Sequence, residues 1–400
     1  MDIKLLQFEK EVVLKLNSAS MICFFEGKGS DIYKRIRERM IDLLRLNPWM
    51  ASKVVKEKRE VFLRFDELKA PEKIVDKILI QDYNLVIDQT MEYTEMDNAT
   101  KKHQVVKGKK LIKTGGYVTK VTILNHKIDN TSGIAVLFSM AHVAADGHTY
   151  YKLLNSLYEP SQMQAMKFQR NMEADNLFWH IIGKKKSNYL PFRIILKIIQ
   201  NLYFGKKVRY FCRFLNENKI NKIKEDYASK AQKKFPYIST NDVVTSTFCK
   251  ATNSDVTFLI INLRDKIEGV NELNAGNYQF ALLLNKKHFQ TPESVRQMLS
   301  QKDDIVFEKD ELLNLFQVMK SNLTMITNVT NFVKDYHLFG LKQVLHIPVR
   351  HPQDIFCDLA FVYKARNNRK AVLYFGKVTP PENYIESGHF EESVSGSLFS

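Results

Sequence analysis

The sequence predicts an α/β protein with two domains. Residues 133–140 form a nearly continuous apolar run between polar residues, which indicates a strand buried on both faces. The next segment, residues 149–158, has helical spacing of its apolar side chains, at Tyr150, Leu153, Leu154 and Leu157. With 400 residues, the chain is too long for one core of ordinary size.

The composition is that of a soluble globular protein, with 44% apolar and 26% charged residues. Four cysteines are scattered without a CxxC pair, and the ten histidines show no metal-ligand spacing. We therefore expect no disulfide framework and no metal site. The amino terminus lacks a signal-peptide core, and no stretch approaches the ~20 apolar residues of a membrane span. These features predict a cytoplasmic protein.

The formal net charge of +16 indicates an anionic partner or a solvation role. Nucleic acid is not expected, because zinc-finger spacing, an RNP motif and a clear helix-turn-helix are all absent from the sequence. Anionic small molecules and anionic membrane surfaces remain as alternatives.

Several elements are predicted in the first half. Residues 11–25 contain two strand-like runs, and residues 31–45 have helical spacing, with Asp31 as a cap and Pro48 ending the helix. Residues 104–126 are predicted as β structure, because the stretch after the Gly115-Gly116 turn alternates apolar and polar side chains.

A basic, apolar stretch lies in the middle of the chain. Between Lys184 and Asn216 there are nine Lys or Arg and no acid. Within it, residues 193–203 are apolar except for a narrow stripe formed by Arg193, Lys197 and Gln200. The favoured interpretation is a helix in a groove between domains with this stripe outward, and the alternative is a helix on an anionic membrane surface.

The second half begins with a capped helix. Ser239, Thr240 and Asn241 precede its apolar residues, and such a helix start also binds phosphate well. The nearby Lys230, Lys233 and Lys234 can reach phosphates or can simply be solvated.

Further elements follow towards the carboxyl end. A β-rich run ends at Arg264, and a helix from Asp310 leads into residues 324–332. Residues 357–363 and 371–375 are predicted as a hairpin across the Asn367-Asn368 turn. The acidic tail after Pro381 is expected to be loose.

One motif carries candidate chemistry. His142 leaves the end of the buried strand, Asp146 follows four residues later, and Gly147 allows the turn into a helix. Strand ends are frequent sites of chemistry in α/β proteins. Taken alone, a single histidine here is more often a core residue beside an aspartate that caps a helix.

The pattern His142-x-x-x-Asp146-Gly147 resembles the motif of the CoA-dependent acyltransferase superfamily, which includes chloramphenicol acetyltransferase, BAHD enzymes and peptide condensation domains. The segments Ser239–Phe248 and Asn262–Asn277 are also similar to this superfamily, in the same order. The BAHD motif Asp-Phe-Gly-Trp-Gly is reduced to Phe339-Gly340, so the chain departs from standard plant members.

The resemblance implies two chloramphenicol acetyltransferase-like domains, each a mixed β-sheet with helices, and an active site in the channel between them. We assign 1–185 to the first domain, 186–235 to a basic crossover and 236–400 to the second domain. Because two fused domains can build the site within one chain, a monomer is expected.

The same resemblance implies the roles of the site residues. His142 would be the general base for transfer of an acyl group from acyl-CoA to a small-molecule alcohol or amine, and Asp146 would pair with Arg264. Thr330 or Asn331 would stabilise the oxyanion. The helix start at Ser239, Thr240 and Asn241 would border the CoA channel. Acyl-CoA would act as a co-substrate, and no permanently bound cofactor is expected.

Two other functions stay open at this point. One is a condensation-type enzyme that takes its acyl group from a carrier protein. The other is a non-catalytic protein of the same fold that binds a membrane surface through residues 193–203.

Overall fold

A computed structural model of the chain describes residues 1–27, 31–66, 69–128, 131–158, 163–175, 192–300, 314–334 and 337–395. Within these residues the strands are β1 Asp2–Lys4, β2 Ala19–Glu26, β3 Lys53–Glu57, β4 Glu60–Arg64, β5 Leu79–Asp88, β6 Thr119–Ile128, β7 Thr131–Met140, β8 Arg209–Leu215, β9 Val256–Asn262, β10 Gln279–Asn285, β11 Leu323–Asn328, β12 His337–Leu338, β13 Leu341–Pro348, β14 Asp358–Arg366, β15 Arg369–Gly376 and β16 Phe390–Ser393.

The same residues form the helices α1 Gln7–Glu11, α2 Ile32–Leu46, α3 Pro71–Ile78, α4 Tyr93–Thr100, α5 Gly108–Thr114, α6 Gly147–Tyr158, α7 Phe192–Phe204, α8 Glu217–Ala228, α9 Thr240–Ala251, α10 Lys286–Phe289, α11 Pro292–Ser300, α12 Leu315–Lys320 and α13 Pro381–Ile385. Short 3-10 turns lie at Val13–Lys15, Pro48–Ala51, Lys101–His103 and Pro352–Asp354.

Two mixed sheets organise the described chain, which confirms the predicted fold class. The first has the order β12-β13-β2-β7-β6-β5, and only its β5–β6 pair is parallel. The second has the order β10-β9-β11-β14-β15-β8-β16, with β11 parallel to both neighbours. A small sheet, β1-β4-β3, lies beside them. In the two large sheets, strands β2, β7, β14 and β15 are buried along most of their length, as is typical of central strands.

The domain boundaries need two corrections. Strand β13 belongs to the first sheet, where Pro348 pairs with Met21, so 236–400 is not one continuous domain. Strand β8 belongs to the second sheet, where it pairs with β15, so the described part of 186–235 is part of that domain rather than a linker.

Three predictions in the first half are wrong in detail. Only one strand, β2, forms within residues 11–25, because residues 13–15 make a 3-10 turn. Residues 108–114 form helix α5, which ends at the left-handed Gly115, so β structure in this region begins only at Thr119. Helix α2 forms as predicted, but the Asp31 side chain makes no capping hydrogen bond.

Helix α7 is oriented opposite to the favoured prediction. The polar side chains Lys197 and Asn201 are buried, because Lys197 Nζ donates to the carbonyl of Met319 at 2.7 Å and Asn201 Nδ2 donates to that of Phe356 at 2.8 Å. The apolar side chains Tyr203 and Phe204 are 78% and 85% exposed. The polar stripe therefore faces the protein and an apolar face points outward.

The carboxyl-terminal hairpin is confirmed. Strands β14 and β15 pair across Asn367 and Asn368, which both have positive φ as a tight hairpin turn requires. The prediction of a loose acidic tail is wrong within the described residues, because the ring of Phe390 in β16 packs edge-on against that of Tyr384, with 4.7 Å between the ring centres. The helix predicted from Asp310 lies partly outside the described residues, and α12 is its described part.

Among the described residues, no helix is long and apolar enough to cross a membrane, and no cluster of side chains suited to a metal ion is present. All four cysteines are buried and free.

Candidate active site

His142 lies just beyond β7, a central strand of the first sheet. The strand ends at Met140, and the backbone N–H of Ala141 donates to the carbonyl of Val118, which fixes the path of the chain as it leaves the sheet. The histidine side chain is buried, with 8% of its surface exposed. A buried strand thus places one imidazole against the second domain.

Asn277 of the second domain fixes the tautomer of His142. Its Oδ1 lies 3.1 Å from His142 Nδ1, and its Nδ2 donates to the His142 carbonyl at 2.9 Å. Because an amide oxygen can only accept, the proton must sit on Nδ1 and the Nε2 lone pair is free. Nε2 has no hydrogen-bond partner among the described residues.

Glu9 fixes the orientation of the Asn277 amide. The Glu9 carboxylate accepts from both the backbone N–H and Nδ2 of Asn277, at 3.0 and 3.1 Å. A carboxylate accepts only, so the amide NH₂ must point toward Glu9 and the amide oxygen toward His142. Arg170 Nε in turn donates to Glu9 at 3.1 Å, and both side chains of this ion pair are fully buried. The four residues form one hydrogen-bonded series, in the order Arg170, Glu9, Asn277 and His142.

Gly276 is required by this arrangement. Its φ of 128° lies in the region that favours glycine, and a Cβ here would come within 2.6 Å of the Arg170 guanidinium. Arg170 fills that space and donates to the carbonyls of Ala275 and Ala144. The guanidinium thereby ties the loop before β10 to the loop that carries His142.

Asp146 and Arg264 form the ion pair expected from the motif. Arg264 Nη1 lies 2.7 Å from Asp146 Oδ2 and Nη2 lies 3.2 Å from Oδ1, with both side chains buried. Asp146 also accepts from the backbone N–H groups of Thr149 and Tyr278. The aspartate therefore caps helix α6 and also binds the second domain.

The pKa of His142 is lowered to about 4, mainly by burial and also by the nearby Arg350 cation. Hydrogen bonds that the ring donates to the backbone and to Asn277, together with the charge of Asp146, act in the opposite direction. The imidazole is thus neutral at pH 7. Burial raises the pKa of Asp146, whereas the charge and hydrogen bonds of Arg264 lower it. The net shift is downward, so this carboxylate is ionised.

Gly147 stands where the chain turns from the His142 loop into a helix. It begins helix α6, and its φ is not in the left-handed region. A Cβ would approach only Val329 Cγ1, at 3.6 Å, an ordinary contact. A small side chain could therefore be accommodated at this position in the described structure.

Thr330 and Asn331 differ in position. Thr330 is buried, and its hydroxyl donates to Asn328 Oδ1 at 2.8 Å, whereas Asn331 is exposed. Asn328 Nδ2 donates in turn to Asn241 Oδ1 at 3.0 Å. Asn328 therefore links the residue predicted for the oxyanion to the start of helix α9.

The residues predicted to contact CoA lie on two segments. Ser239 caps α9 in a capping box with Asp242, and Asp242 is buried in an ion pair with Arg296 at 2.6 Å. Thr240 and Asn241 are half-buried at the same helix start. All three lysines of the other segment are exposed, namely Lys230, Lys233 and Lys234. The structure does not bring these lysines into contact with the helix start.

Several residues of the site were not found from the sequence. Glu9 and Arg170 belong to ordinary charged segments, and their pairing with each other spans 161 residues. In the sequence, Asn277 stands out only as the end of the segment Asn262–Asn277 that resembles the superfamily. A buried carboxylate leaves no local pattern, so these residues become visible only when the chain is folded.

The fold is that of several solved acyltransferase structures. TRI101 of F. graminearum, in a complex with coenzyme A and deoxynivalenol, is 12% identical with a TM-score of 0.62, covering 98% of this chain and 100% of that one. Vinorine synthase is 12% identical with a TM-score of 0.61, covering 98% and 94%. TRI3 trichothecene 15-O-acetyltransferase from Fusarium sporotrichioides is 11% identical with a TM-score of 0.58, covering 96% and 93%. No protein-family model and no curated protein matches the sequence. The predicted fold class is thereby confirmed.

Proposed function

We propose that this protein is an acyltransferase that moves an acyl group from a CoA thioester to a hydroxyl or amine of a small molecule. The observation that carries the proposal is the state of His142. Its Nδ1 proton is committed to Asn277, its ring is neutral, and Nε2 has no partner among the described residues. A buried imidazole held in this tautomer suits general-base catalysis.

In the proposed reaction, His142 Nε2 accepts the proton of the acceptor hydroxyl or amine as that group attacks the thioester carbonyl. The resulting tetrahedral intermediate collapses, the C–S bond breaks, and the imidazolium returns its proton to the CoA thiolate. No covalent enzyme intermediate is needed. Asp146 stays in its ion pair with Arg264 and holds the loop rather than relaying a proton.

Thr330 is our candidate for stabilising the oxyanion. Its hydroxyl is buried and can rotate from Asn328 toward a developing negative charge. Asn331 is left out of the proposal because its side chain is exposed. For the phosphates of CoA, the exposed Lys230, Lys233 and Lys234 and the half-buried start of α9 remain the proposed contacts.

The test is a thiol-release assay with a panel of acyl-CoA thioesters of different lengths, combined with mixed alcohol and amine acceptors and mass spectrometry of the products. The proposal predicts CoA release that depends on an acceptor, together with an acylated product. Transfer only from thioesters on a carrier protein would instead support a condensation-type enzyme. No transfer from either donor would contradict the proposal.

We also propose that helix α7 binds an anionic membrane surface, because its apolar face points outward. Phe192, Tyr203 and Phe204 are the most exposed of its apolar residues. Helix α12 packs beside α7 and adds the exposed Leu315 and Phe316. The excess of cations around α7 favours an anionic lipid surface as the occupant.

Vesicle sedimentation tests this second proposal. We expect the protein to bind vesicles containing phosphatidylserine more strongly than neutral phosphatidylcholine vesicles, and the double variant Tyr203→Ser, Phe204→Ser to lose that binding. Tyr237→Ser, which removes an exposed aromatic residue elsewhere, is the matched control. Equal binding of the double variant and the wild type would contradict the proposal.

We propose that one chain is the active unit. The ion pair Asp146–Arg264 and the contact of His142 with Asn277 join the two domains within a single chain. Light scattering after size exclusion is expected to give a monomer, and a stable oligomer would contradict this.

A further inference from the structure

Arg350 lies at the same edge of the first sheet as His142. Strand β13 ends at Pro348, and the N–H of Val349 donates to the carbonyl of Ser20. On the neighbouring strand pair, Ser20 lies opposite Ser139, one residue before the end of β7. Arg350 and His142 therefore leave the sheet two strands apart, or about 10 Å at the usual strand spacing.

The backbone of Arg350 is held in place by Tyr93. The Tyr93 hydroxyl accepts from the Arg350 N–H at 2.7 Å and lies 3.1 Å from the Pro348 carbonyl. The guanidinium carbon lies 5.5 Å from the ring centre of Phe361, a residue of β14 in the second sheet. The side chain of Arg350 therefore reaches from the first domain to the second, in front of the sheet edge that carries His142.

The Arg350 guanidinium has no anionic partner among the described residues. The adjacent His351 pairs with Asp97 at 2.6 Å, and Asp354, four residues further on, pairs with Lys107 at 2.6 Å. Burial lowers the pKa of Arg350, and the groups that oppose this shift are the phenols of Tyr93, Tyr150 and Tyr151. Arg350 is a half-buried residue beside Phe361 of the second sheet. A cation kept there without a carboxylate costs stability that a bound anion would offset.

We propose that Arg350 binds a carboxylate carried by one of the two substrates, so that the transferred acyl group or its acceptor is an acid. The inference rests on the proposed acyl transfer at His142. A guanidinium presents a planar set of donors that matches a carboxylate with two parallel hydrogen bonds. The aromatic rings of the tyrosines and Phe361 surround the guanidinium. In this apolar setting, a substrate with a carboxylate would bind more tightly than its neutral analogue.

Two pairs of probes separate the possible sources of the carboxylate. Malonyl-CoA and propionyl-CoA test the acyl group, and 3-hydroxybenzoate and 3-hydroxybenzyl alcohol test the acceptor. Binding is measured by calorimetry on a His142→Ala protein, with and without Arg350→Gln, so that the result does not depend on transfer. Arg45→Gln, which removes an exposed arginine of α2, is the matched control.

We expect the acid to bind more tightly than its neutral partner in one of the two pairs, by about 10- to 100-fold, as for a charged hydrogen-bonded pair. Arg350→Gln is expected to abolish this difference, Arg350→Lys to restore part of it, and Arg45→Gln to leave it unchanged. The unliganded Arg350→Gln protein is expected to melt at or above the wild-type temperature.

Absence of any acid preference in both pairs would overturn the proposal. So would an equal loss of affinity for malonyl-CoA and propionyl-CoA in Arg350→Gln, which would place the guanidinium against the CoA moiety. A lower melting temperature without a change in preference would mean that Arg350 is a packing residue. Acid binding through Arg350 without any transfer by the wild type would reject the acyltransferase proposal alone.

Discussion

Asn277 Oδ1 lies 3.1 Å from His142 Nδ1, across the boundary between the two domains. This contact decides which nitrogen of the ring can act as a base. It also depends on a residue at the far amino terminus, because Glu9 determines which way the Asn277 amide faces. The reactivity proposed for His142 is therefore a property of both domains together.

Replacing Asn277 by alanine is expected to lower kcat about 10- to 100-fold, because the imidazole loses the acceptor that fixes its tautomer. Substrate KM is expected to change little, since Asn277 contacts the protein and not the substrate. Steady-state kinetics measures both constants. Asn331→Ala, at an exposed asparagine, serves as the control, and an unchanged kcat for Asn277→Ala would contradict the assigned role.

Glu9→Gln is expected to destabilise the protein by about 3–5 kcal/mol, the usual effect of removing one partner from a buried ion pair. Arg170 would be left as an uncompensated charge with no exposed surface. Urea unfolding provides the free energy. Glu60→Gln, which breaks the half-exposed pair with Lys10, is expected to change it by less than about 1 kcal/mol. Similar values for the two variants would disprove the structural role of Glu9.

Asp146→Asn is expected to lower both the rate and the stability. The substitution weakens the pairing with Arg264 and removes an acceptor from the start of α6. Thermal unfolding and the transfer rate are measured on the same preparation. If the rate alone fell and the melting temperature stayed constant, Asp146 would have a chemical role that its position does not support.

Acid is expected to destabilise the fold through buried neutral histidines. Burial lowers the folded-state pKa of His142 and of His346 to about 4, from 6.5 in the unfolded chain. Between these values the unfolded state binds protons that the folded state does not, so the stability present above pH 6.5 is lost as the pH falls toward 4. Each pKa unit corresponds to about 1.4 kcal/mol.

Urea unfolding at pH 7 and pH 5 measures this effect. His346→Gln is expected to reduce the difference in free energy between the two pH values, whereas His337→Gln, at an exposed histidine, is expected to leave it unchanged. An unaltered difference in His346→Gln would contradict the assignment.

Several local elements and one long-range pair could be predicted from the sequence. The buried strand β7, the helix α6 and the ion pair Asp146–Arg264 were predicted because periodicity and a recognisable motif mark them. The acidic tail and residues 104–118 were misjudged because the packing of Phe390 against Tyr384 and the burial of α5 depend on distant partners.

The pairing of strands that are distant in the chain could not be predicted from the sequence. Strand β13 crosses from the second half of the chain into the first sheet, where Pro348 pairs with Met21 more than 300 residues away. The orientation of α7 was likewise set by carbonyl groups of Met319 and Phe356, which accept from Lys197 and Asn201. Amphipathic spacing alone predicts that two faces exist and not which one is buried.

The most direct measurement of the proposed chemistry is the rate of CoA release by a His142→Ala protein, given an acyl-CoA and acceptor that the wild type uses. Circular dichroism and the melting temperature establish that the variant is folded, and His337→Ala controls for loss of an imidazole. We predict that kcat/KM falls by at least the ~10²–10⁴-fold expected for loss of a general base. Turnover equal to that of the wild type would contradict the assignment of His142 as the catalytic base.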